Sequence, residues 1–508
     1  MNSVNFKRRR YIKAALAAPL ARKFSALATF AAGASSALAA APTESSSAAF
    51  AKAFDPLQRR LSKRWVEQGL RQTALVNRYH VAMDTHFAAL EAGKKSVRPA
   101  RVKADPRTDL AAEILKTAKA VLPAATAAEI AQWRAAFPFG YDALIDAYQE
   151  DSCDVKQCIS LDGNDCAIIV KNFNGHPHSL GVKRGTTWKF DATVQRIGRS
   201  HNRKIWAFAS ERGIETRDGF GGKVLNNFAY PRGNEGLPAW LKLGPTSAAR
   251  NALVVLPFND GARVLLANQT GVYLLNAATN MAGKEKTLRL HPQQFEREGP
   301  YTWPKNKDET DRALSLDMVH VALSPDEKYI ALGDQDSEHL LLNVAGKVVA
   351  SASPGNYPHY ALFDRASTQV LFNECHFYNG TTDALALSAV AGAADKPPVT
   401  HTLKPMDEVL RVYSAAAGAD GFYLGGSGYM NCVDFSNKRR WRHHVGGSIK
   451  AVEFTADDKF LWTASYSGLL VRSEVRQGAG DPMRMGDSPL WDVERWLFLN
   501  DASAPIPW

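Results

Sequence analysis

The sequence predicts a mainly β fold, a seven-bladed β-propeller preceded by a small α-helical region. Three observations lead to this prediction. From residue 153 onward, the apolar residues change from a helical spacing to short alternating runs separated by polar turns. A strand–turn–strand unit recurs there at intervals of about 49 residues, which suits a four-stranded blade with insertions. A second unit, a polar turn followed by a third strand, keeps the same phase in several repeats.

The composition is that of an ordinary globular protein and excludes several classes. The chain has 508 residues, of which 45% are hydrophobic and 22% are charged, so wholesale disorder is excluded. A polytopic membrane protein is excluded because no apolar run of 18 residues follows residue 50. The net charge of +11 is concentrated in residues 1–39, which contain seven basic residues and no acidic one. The remaining chain is nearly balanced, so nucleic-acid binding is not expected.

Residues 1–39 are predicted to be a cleaved secretory signal. They combine a basic start, an Ala-rich apolar middle and an Ala-x-Ala end at Ala37–Ala39. They also contain the order Arg-Arg-x-aromatic-aliphatic-Lys, which resembles the twin-arginine export motif: Arg8, Arg9, Tyr11, Ile12 and Lys13. The resemblance implies export after folding to a periplasm, with no transmembrane anchor left in the mature chain.

A helical region is predicted over residues 55–150, after a Ser/Ala-rich linker over residues 40–54. Apolar residues recur at steps of four or five, which predicts one long helix from Asp55–Pro56 to about Glu91. Three shorter helices are predicted, the second opened by a capping box of Thr126 and Glu129: Asp109–Val121, the segment after Thr126, and Tyr141–Gln149.

The propeller is predicted to span residues 153–475. Its clearest units are Val319–Leu332, which contains the turn Ser-Pro-Asp-Glu-Lys at 324–328, and Val452–Trp462. The successive turn centres are residues 162, 202, 260, 326, 365, 420 and 457. A β-sandwich also has short strands and turns, but it does not produce a long repeat with internal order.

The repeats resemble those of a known superfamily. The turn at 324–328 and the third strands that end in Asn or Asp resemble the blades of WD-repeat proteins. The segment Gly428–His444 is similar to the repeat of pyrroloquinoline quinone propellers. The resemblance implies a WD-repeat or quinoprotein-like β-propeller and identifies no family within that superfamily.

Five cysteines are compatible with an oxidising compartment. Cys158 and Cys166 flank a turn-like segment, so a disulfide across a hairpin is predicted for them, with buried unpaired thiols as the alternative. At least one thiol has no partner within the chain because the number is odd. No Cys/His set has zinc-site spacing, and no metal site is predicted.

The candidate binding residues lie in the loops that a propeller presents on one rim. These are the loops between the second and third strands of each blade, together with one loop between blades. Their main polar residues are His176, His178, Glu211, Arg212, Asp334, Asp336, His359, Glu374 and His376. The same loops add Asn174, Gln269, Tyr357, Ser427 and Tyr466.

The tail, residues 476–508, is rich in tryptophan. It contains Trp491, Trp496 and Trp508 among several leucines. Two interpretations stay open: the tail packs internally as core, or its aromatic side chains anchor an outside partner.

The sequence favours a binding function over catalysis. It has no nucleophile elbow, phosphate-binding loop or His-Glu-x-x-His motif, so no catalytic residue is predicted. We expect an exported cell-envelope binding or scaffold protein without a cofactor, whose rim holds an envelope protein or a glycan. The alternative is a periplasmic propeller enzyme, either a dehydrogenase that uses pyrroloquinoline quinone or a lactonase-like hydrolase with a divalent metal.

Export by the twin-arginine route is testable by replacing Arg8 and Arg9 with Lys. We expect the double variant to stay in the cytoplasm with its signal attached, because that route depends on the arginine pair. Cell fractionation followed by immunoblotting measures the distribution. Undiminished export of the variant would contradict the route and leave export itself intact.

Overall fold

The computed structural model describes ten segments of the chain and shows a mainly β protein, with 43% strand and 22% helix. The described segments are residues 44–237, 250–277, 287–293, 314–353, 357–376, 379–392, 398–402, 410–436, 438–475 and 481–508. The predicted signal over residues 1–39, including its motif Arg8–Lys13, lies outside them.

In the described part of the chain, four α-helices precede the strands. They are α1 (Glu44–Glu91), α2 (Thr108–Val121), α3 (Ala127–Ala136) and α4 (Tyr141–Tyr148). The capping box predicted for α3 is confirmed. The hydroxyl of Thr126 accepts a hydrogen bond from the Glu129 amide at 3.3 Å, and the Glu129 carboxylate accepts one from the Thr126 amide at 2.7 Å.

The prediction of a linker up to residue 54 and of a helix start at Asp55 is wrong, because α1 already begins at Glu44. Phe50 and Phe54 are buried, and the ring centroid of Phe54 lies 5.8 Å from that of Trp133. Pro56 lies inside the helix on its exposed side, where water can satisfy the carbonyl that loses its amide partner. Burial of the two aromatic rings therefore extends the helix through the proline.

Within the ten described segments, the strands form six sheets. Sheet A contains β1 (Val155–Ser160), β2 (Cys166–Val170), β3 (Ser179–Arg184) and β4 (Thr187–Asp191). Sheet B contains β5 (Val194–Arg199), β6 (Ile205–Ser210), β7 (Gly213–Asp218) and β8 (Val224–Phe228). Sheet C contains β9 (Val254–Pro257), β10 (Arg263–Asn268), β11 (Gly271–Asn276) and β12 (Thr287–His291). Each is an antiparallel meander in chain order.

The other three sheets follow the same plan with additions. Sheet D contains β13 (His320–Leu323), β14 (Tyr329–Gly333), β15 (His339–Asn343), β16 (Val348–Ser353) and the parallel edge strand β20 (Val399–Thr402). Sheet E contains β17 (Tyr357–Phe363), β18 (Gln369–His376) and β19 (Asn379–Ala386). Sheet F contains β21 (Ser414–Ala417), β22 (Phe422–Gly425), β23 (Ser427–Val433), β24 (Arg439–Phe454), β25 (Phe460–Ser465), β26 (Leu469–Val475), β27 (Leu490–Leu497) and β28 (Ile506–Pro507).

Sheet F consists of two halves, one of four strands and one of five, that share the long strand β24. The first part of β24 pairs with β23, and its last six residues, from Ile449 onward, pair with β25. Between the two parts, Gly446 and Gly447 have φ values of +73° and +74°, which residues with a Cβ rarely adopt. The glycines therefore let one strand pass from the first half-sheet to the second.

All seven predicted turn centres lie in the loop between the first and second strand of a four-stranded unit or of sheet E. Two of these turns show the same hydrogen bonds. The hydroxyl of Ser324 donates to Asp326 at 2.7 Å, and that of Thr455 donates to Asp457 at 2.7 Å. The residues that form these turns are close neighbours in the sequence. Since every predicted turn centre lies in the equivalent loop, the repeat phase predicted from the sequence is confirmed.

Hydrophobic clusters fill the spaces between consecutive sheets. One cluster lies between each of the pairs A and B, B and C, C and D, and D and E. Another joins sheet E to the first half of F, and the largest joins the two halves of F to the helices. The last cluster lies between the second half of F and sheet A. The final strands of the chain thus pack against the first.

The boundary predicted at residue 475 is wrong, because β27 adds to sheet F beside β26. Trp508 is fully buried, its ring centroid lies 5.7 Å from that of Trp133, and its Nε1 donates to the carbonyl of Phe137 at 3.1 Å. Leu499 forms a β-bridge with Ser152, just before β1. Of the two interpretations of the tail, internal packing is therefore confirmed.

The predicted disulfide is also wrong, since Cys158 and Cys166 are free, buried thiols, as are the other three cysteines. Across the β1–β2 pair, Cys158 lies opposite Ile168 and Cys166 lies opposite Ser160. The two thiols therefore occupy diagonal positions rather than facing ones. Burial and the neighbouring Cys166 thiol raise the pKa of Cys158 well above its usual value, which keeps it protonated.

The packing of the tail makes a stability prediction. We expect Trp508→Ala to lower the free energy of unfolding by about 3 to 5 kcal/mol, because it leaves a cavity between α3 and the last strands. Urea unfolding followed by circular dichroism measures it. The matched control is Trp491→Ala, at a half-buried position on β27, and we expect a smaller loss there. Equal losses in both variants would contradict the packing described for Trp508.

Candidate functional site

The first strands of the sheets surround a cavity of about 600 Å³, hereafter the upper cavity. It is lined from β1, β5, β9, β13, β17, β21 and β24 and from residues beside these strands. Its volume is in the range of small-ligand sites. A second cavity of about 490 Å³, the lower cavity, shares several lining residues with it and extends to the hairpin turns.

In the lower cavity, carboxylates form ion pairs with arginines. Arg199 pairs with Glu453, and Arg365 pairs with Asp458 through two hydrogen bonds. His201 also contacts the carbonyl of Leu323 at 2.7 Å. These contacts connect the turns and first strands of different sheets, so the lower end of the assembly is held together by polar contacts.

The upper cavity is strongly cationic. Among the residues that the structure describes, no aspartate or glutamate lines it, whereas five cationic side chains do: Lys156, Arg196, Arg199, Arg411 and Lys450. The nearest carboxylate to Lys156 is that of Asp154, 3.8 Å away in its ion pair. The buried Arg196 donates to the carbonyls of Gln195 and Leu253.

Lys450 is held between aromatic rings. Its Nζ lies 4.0 Å from the ring centroid of Tyr466 and 5.0 Å from that of Tyr413. Burial lowers the pKa of Lys450 to about 8; Asp154 partly offsets this shift, and the charges of Lys156 and Arg411 add to it. Any group that binds here meets an amine whose positive charge is not fully stabilised by the protein.

Neutral histidines complete the wall of the upper cavity. Burial lowers the pKa of His320 to about 4, and burial together with Arg411 lowers that of His359 to about 3. His320 Nε2 lies 3.0 Å from Nδ1 of the buried His339, whose Nε2 in turn lies 3.1 Å from the carbonyl oxygen of Asn373. Near neutral pH these rings therefore add hydrogen-bonding groups to the cavity but no charge.

Two large side chains are exposed at the mouth of the upper cavity. Met318 is 37% exposed and Tyr466 is 44% exposed. Met318 also has a φ of +54°, a left-handed conformation that is uncommon for a residue with a side chain. Strained backbone that presents an apolar group beside a cavity is typical of binding sites.

Only part of the predicted rim set lies at the cavity. His359 and Tyr466 line its upper part. His178 does not line the upper cavity. Burial and the nearby charges of Arg196 and Lys156 lower the pKa of His178 to about 4, so this histidine lies close to the cations.

The other predicted rim residues are elsewhere. Asp334 is buried and bound to His291 Nε2 at 2.5 Å, and Glu374 is buried near the end of β18. Four exposed residues line neither cavity: His176, Glu211, Arg212 and Asp336. The side chain of His376, the last residue of β18, is outside the described part.

Apart from His359, the residues predicted from the sequence do not include the cavity-lining residues of the first strands, although the sequence contains a pattern that marks them. The residue six positions before the turn centre lines the upper cavity in six repeats: Lys156, Arg196, Val254, His320, His359 and Ser414. Lys450 lies seven positions before its turn centre. Because side chains alternate along a strand, a shared register places these residues on the same side of every first strand.

The chain matches no known family model, and comparison with curated proteins gives no match. Within the described segments, no three His, Cys, Asp or Glu side chains are grouped to hold a metal ion. Even the long helix α1 lacks an apolar stretch that would span a membrane, and the same holds for the other described helices.

The depressed pKa of His320 makes the stability of the protein depend on pH. An unfolded histidine takes up its proton near pH 6.5, whereas the folded one does so near pH 4, so acidification between these values favours the unfolded state. We expect the unfolding free energy of the wild type to fall more between pH 7 and pH 5 than that of His320→Gln, by about 2 kcal/mol. Urea titrations at both pH values measure this, and an unchanged pH dependence in the variant would contradict it.

Proposed function

We propose that the chain is an exported, non-catalytic binding protein of the cell envelope that holds part of a protein or glycan partner in the upper cavity. The observation that carries the proposal is the cavity itself. It is of small-ligand size, it is built from the first strands of successive sheets, and it has Met318 and Tyr466 exposed at its mouth.

We further propose that the β region is a seven-bladed propeller. Sheets A to E and the two halves of F make seven units. Their first strands contact one another in chain order, from β1 through β5, β9, β13, β17 and β21 to β24, and β24 contacts β1. Hydrophobic clusters follow the same cyclic order. In this architecture the upper cavity is one end of the central channel.

The proposed location is the periplasm. Support comes from the signal-like segment over residues 1–39 and from the twin-arginine-like order around Arg8 and Arg9. A periplasmic binding protein would meet both envelope proteins and envelope glycans, so both belong in the binding test.

The binding function is tested with the chain from residue 40 onward, immobilised and exposed to envelope glycan fragments and to purified envelope proteins. We expect one of these to bind, and Tyr466→Ala to weaken that binding at least tenfold, because an aromatic anchor at the centre of a contact carries much of its energy. The matched control is Phe435→Ala. Phe435 is 40% exposed, close to the value of Tyr466, and lines neither cavity.

Equal weakening by both variants would contradict the cavity as the site. The enzyme alternative is tested with the chain from residue 40 onward, purified from the cells that naturally produce it. A quinone absorbance band, or a metal bound at unit stoichiometry, would contradict the proposal of a cofactor-free binding protein. Deletion of residues 490–508 would not test whether the tail binds a partner, because β27 and Trp508 belong to the core and their removal would destabilise the fold.

A further inference from the structure

We propose that the second half of α1 and the segment that follows it, residues 70–103, form a docking surface for an anionic lipid bilayer. This surface is distinct from the proposed binding site, since none of its residues lines either cavity. Three observations carry the proposal: exposed apolar side chains, exposed basic side chains, and an extended path of the chain that places the two sets beside each other.

Exposed apolar side chains are concentrated in this region. Ten large hydrophobic side chains are exposed in the described part of the chain, and six of them lie between residues 70 and 97: Leu70, Leu75, Val81, Phe87, Leu90 and Val97. The two most exposed are Val97 at 91% and Val81 at 67%. Single exposed apolar residues are ordinary, but such a concentration marks an interaction surface.

The segment after the helix is basic and exposed. Between residues 92 and 104 the chain has five basic residues and no acidic one: Lys94, Lys95, Arg98, Arg101 and Lys103. All five side chains are exposed. The next acid along the chain, Asp105, is buried and bound to the buried Arg107 at 2.7 Å. The exposed charge of this segment is therefore positive throughout.

The path of this segment places the basic side chains along the helix. At its start, the Lys94 amide donates to the carbonyl of Ala89 at 2.8 Å, and at its end Gln72 Nε2 donates to the carbonyl of Lys103 at 3.2 Å. The helix rises about 26 Å between residues 72 and 89. The steps from residue 94 to residue 103 reach about 30 Å at full extension. The segment therefore returns along α1 almost fully extended, and its charges are spread over the length that bears the exposed apolar side chains.

The helix itself is held in place by the tail. The Thr73 hydroxyl donates to the carbonyl of Met483 at 3.3 Å, and the Asn77 amide donates to that of Arg484 at 3.0 Å. These contacts fix which side of α1 remains in water. A surface that is already formed docks without the entropy cost of ordering a helix.

The combination of apolar and basic side chains fits an anionic bilayer. Apolar side chains of a helix that lies on a membrane enter the boundary between headgroups and acyl chains, while Lys and Arg attract anionic lipids. A nucleic acid would use the positive charges but would leave most of the apolar side chains in water. The apolar set therefore favours a bilayer as the partner.

Vesicle co-sedimentation of the chain from residue 40 onward tests the proposal, because that chain keeps every described residue and lacks the basic residues of the predicted signal. Vesicles of phosphatidylethanolamine with about 30% phosphatidylglycerol are compared with vesicles of phosphatidylcholine. We expect at least tenfold tighter binding to the anionic vesicles, and a loss of that preference in about 0.5 M NaCl, which screens exposed charges. Equal binding to both kinds of vesicle would overturn the proposal.

The basic contribution is tested by replacing Lys94, Lys95 and Arg98 with Gln. We expect binding to anionic vesicles to weaken at least tenfold, because each Lys or Arg near the membrane surface adds to the attraction. The matched control makes the same replacement at three exposed lysines in or beside strands of sheets A and B and should have no effect: Lys189, Lys204 and Lys223. Equal weakening by both triple variants would overturn the surface, since net charge alone would then account for binding.

The apolar contribution is tested with the double variant Val81→Ala and Phe87→Ala. We expect binding to weaken about fivefold or more, because less apolar surface enters the bilayer. The matched control is the double variant Val224→Ala and Phe435→Ala, at side chains that are 44% and 40% exposed, and it should bind like the wild type. Undiminished binding by the first double variant would indicate a soluble polyanion or acidic protein as the partner and would overturn the bilayer.

A fluorescence measurement reports insertion directly. The five native cysteines are buried, so Val97→Cys can be labelled selectively with an environment-sensitive dye. We expect its emission to shift to the blue on anionic vesicles, and that of labelled Val224→Cys to stay unchanged. No shift at position 97 in vesicle-bound protein would overturn the proposal. The cavity is tested separately, by ligand binding and Tyr466→Ala, so failure of either proposal leaves the other standing.

Discussion

The architecture depends on one constraint: the inner strands of each sheet are apolar on both faces. Every residue of β2, from Cys166 to Val170, is buried, and so are all of the residues of β22. A sheet of three or four strands cannot cover its own faces, so each must be covered by its neighbours. Covering every sheet twice requires the last unit to pack against the first, as the cluster shared by sheets F and A does. The cavity is what remains where the first strands meet.

The two ends of that space differ in their charge. At the lower end, pairs such as Arg365 and Asp458 join different sheets and contribute to their relative placement. At the upper end, Lys156 pairs with Asp154 and Lys450 lies against the rings of Tyr413 and Tyr466, but no carboxylate among the described residues lines the cavity. The ion pairs that join different sheets are therefore concentrated at the end away from the proposed binding site. Substitutions at the proposed binding site can leave these ion pairs intact.

The sequence allowed prediction of those features that depend on residues close together along the chain. The hairpin turns, such as the one with Ser324 and Asp326, and the capping box at Thr126 depend on residues two to five positions apart. The start of α1 was missed because Phe54 is buried by Trp133, far along the sequence. The place of β27 depends on pairing with β26 across a long insertion. The cavity residues shared a register, but their convergence required the relative placement of all the sheets.

The packing of Trp508 against Trp133 constrains the order in which the molecule is made. Trp508 is far along the chain from α3, and it fills the space against α3 that would otherwise leave apolar surface exposed to water. Ser152, at the entry to β1, likewise meets its partner Leu499 only after all of the sheets between them have been synthesised. The surface that packs against the N-terminal helices is therefore incomplete until Trp508 has been synthesised. A nascent chain exposes this apolar face to chaperones until Trp508 has left the exit tunnel.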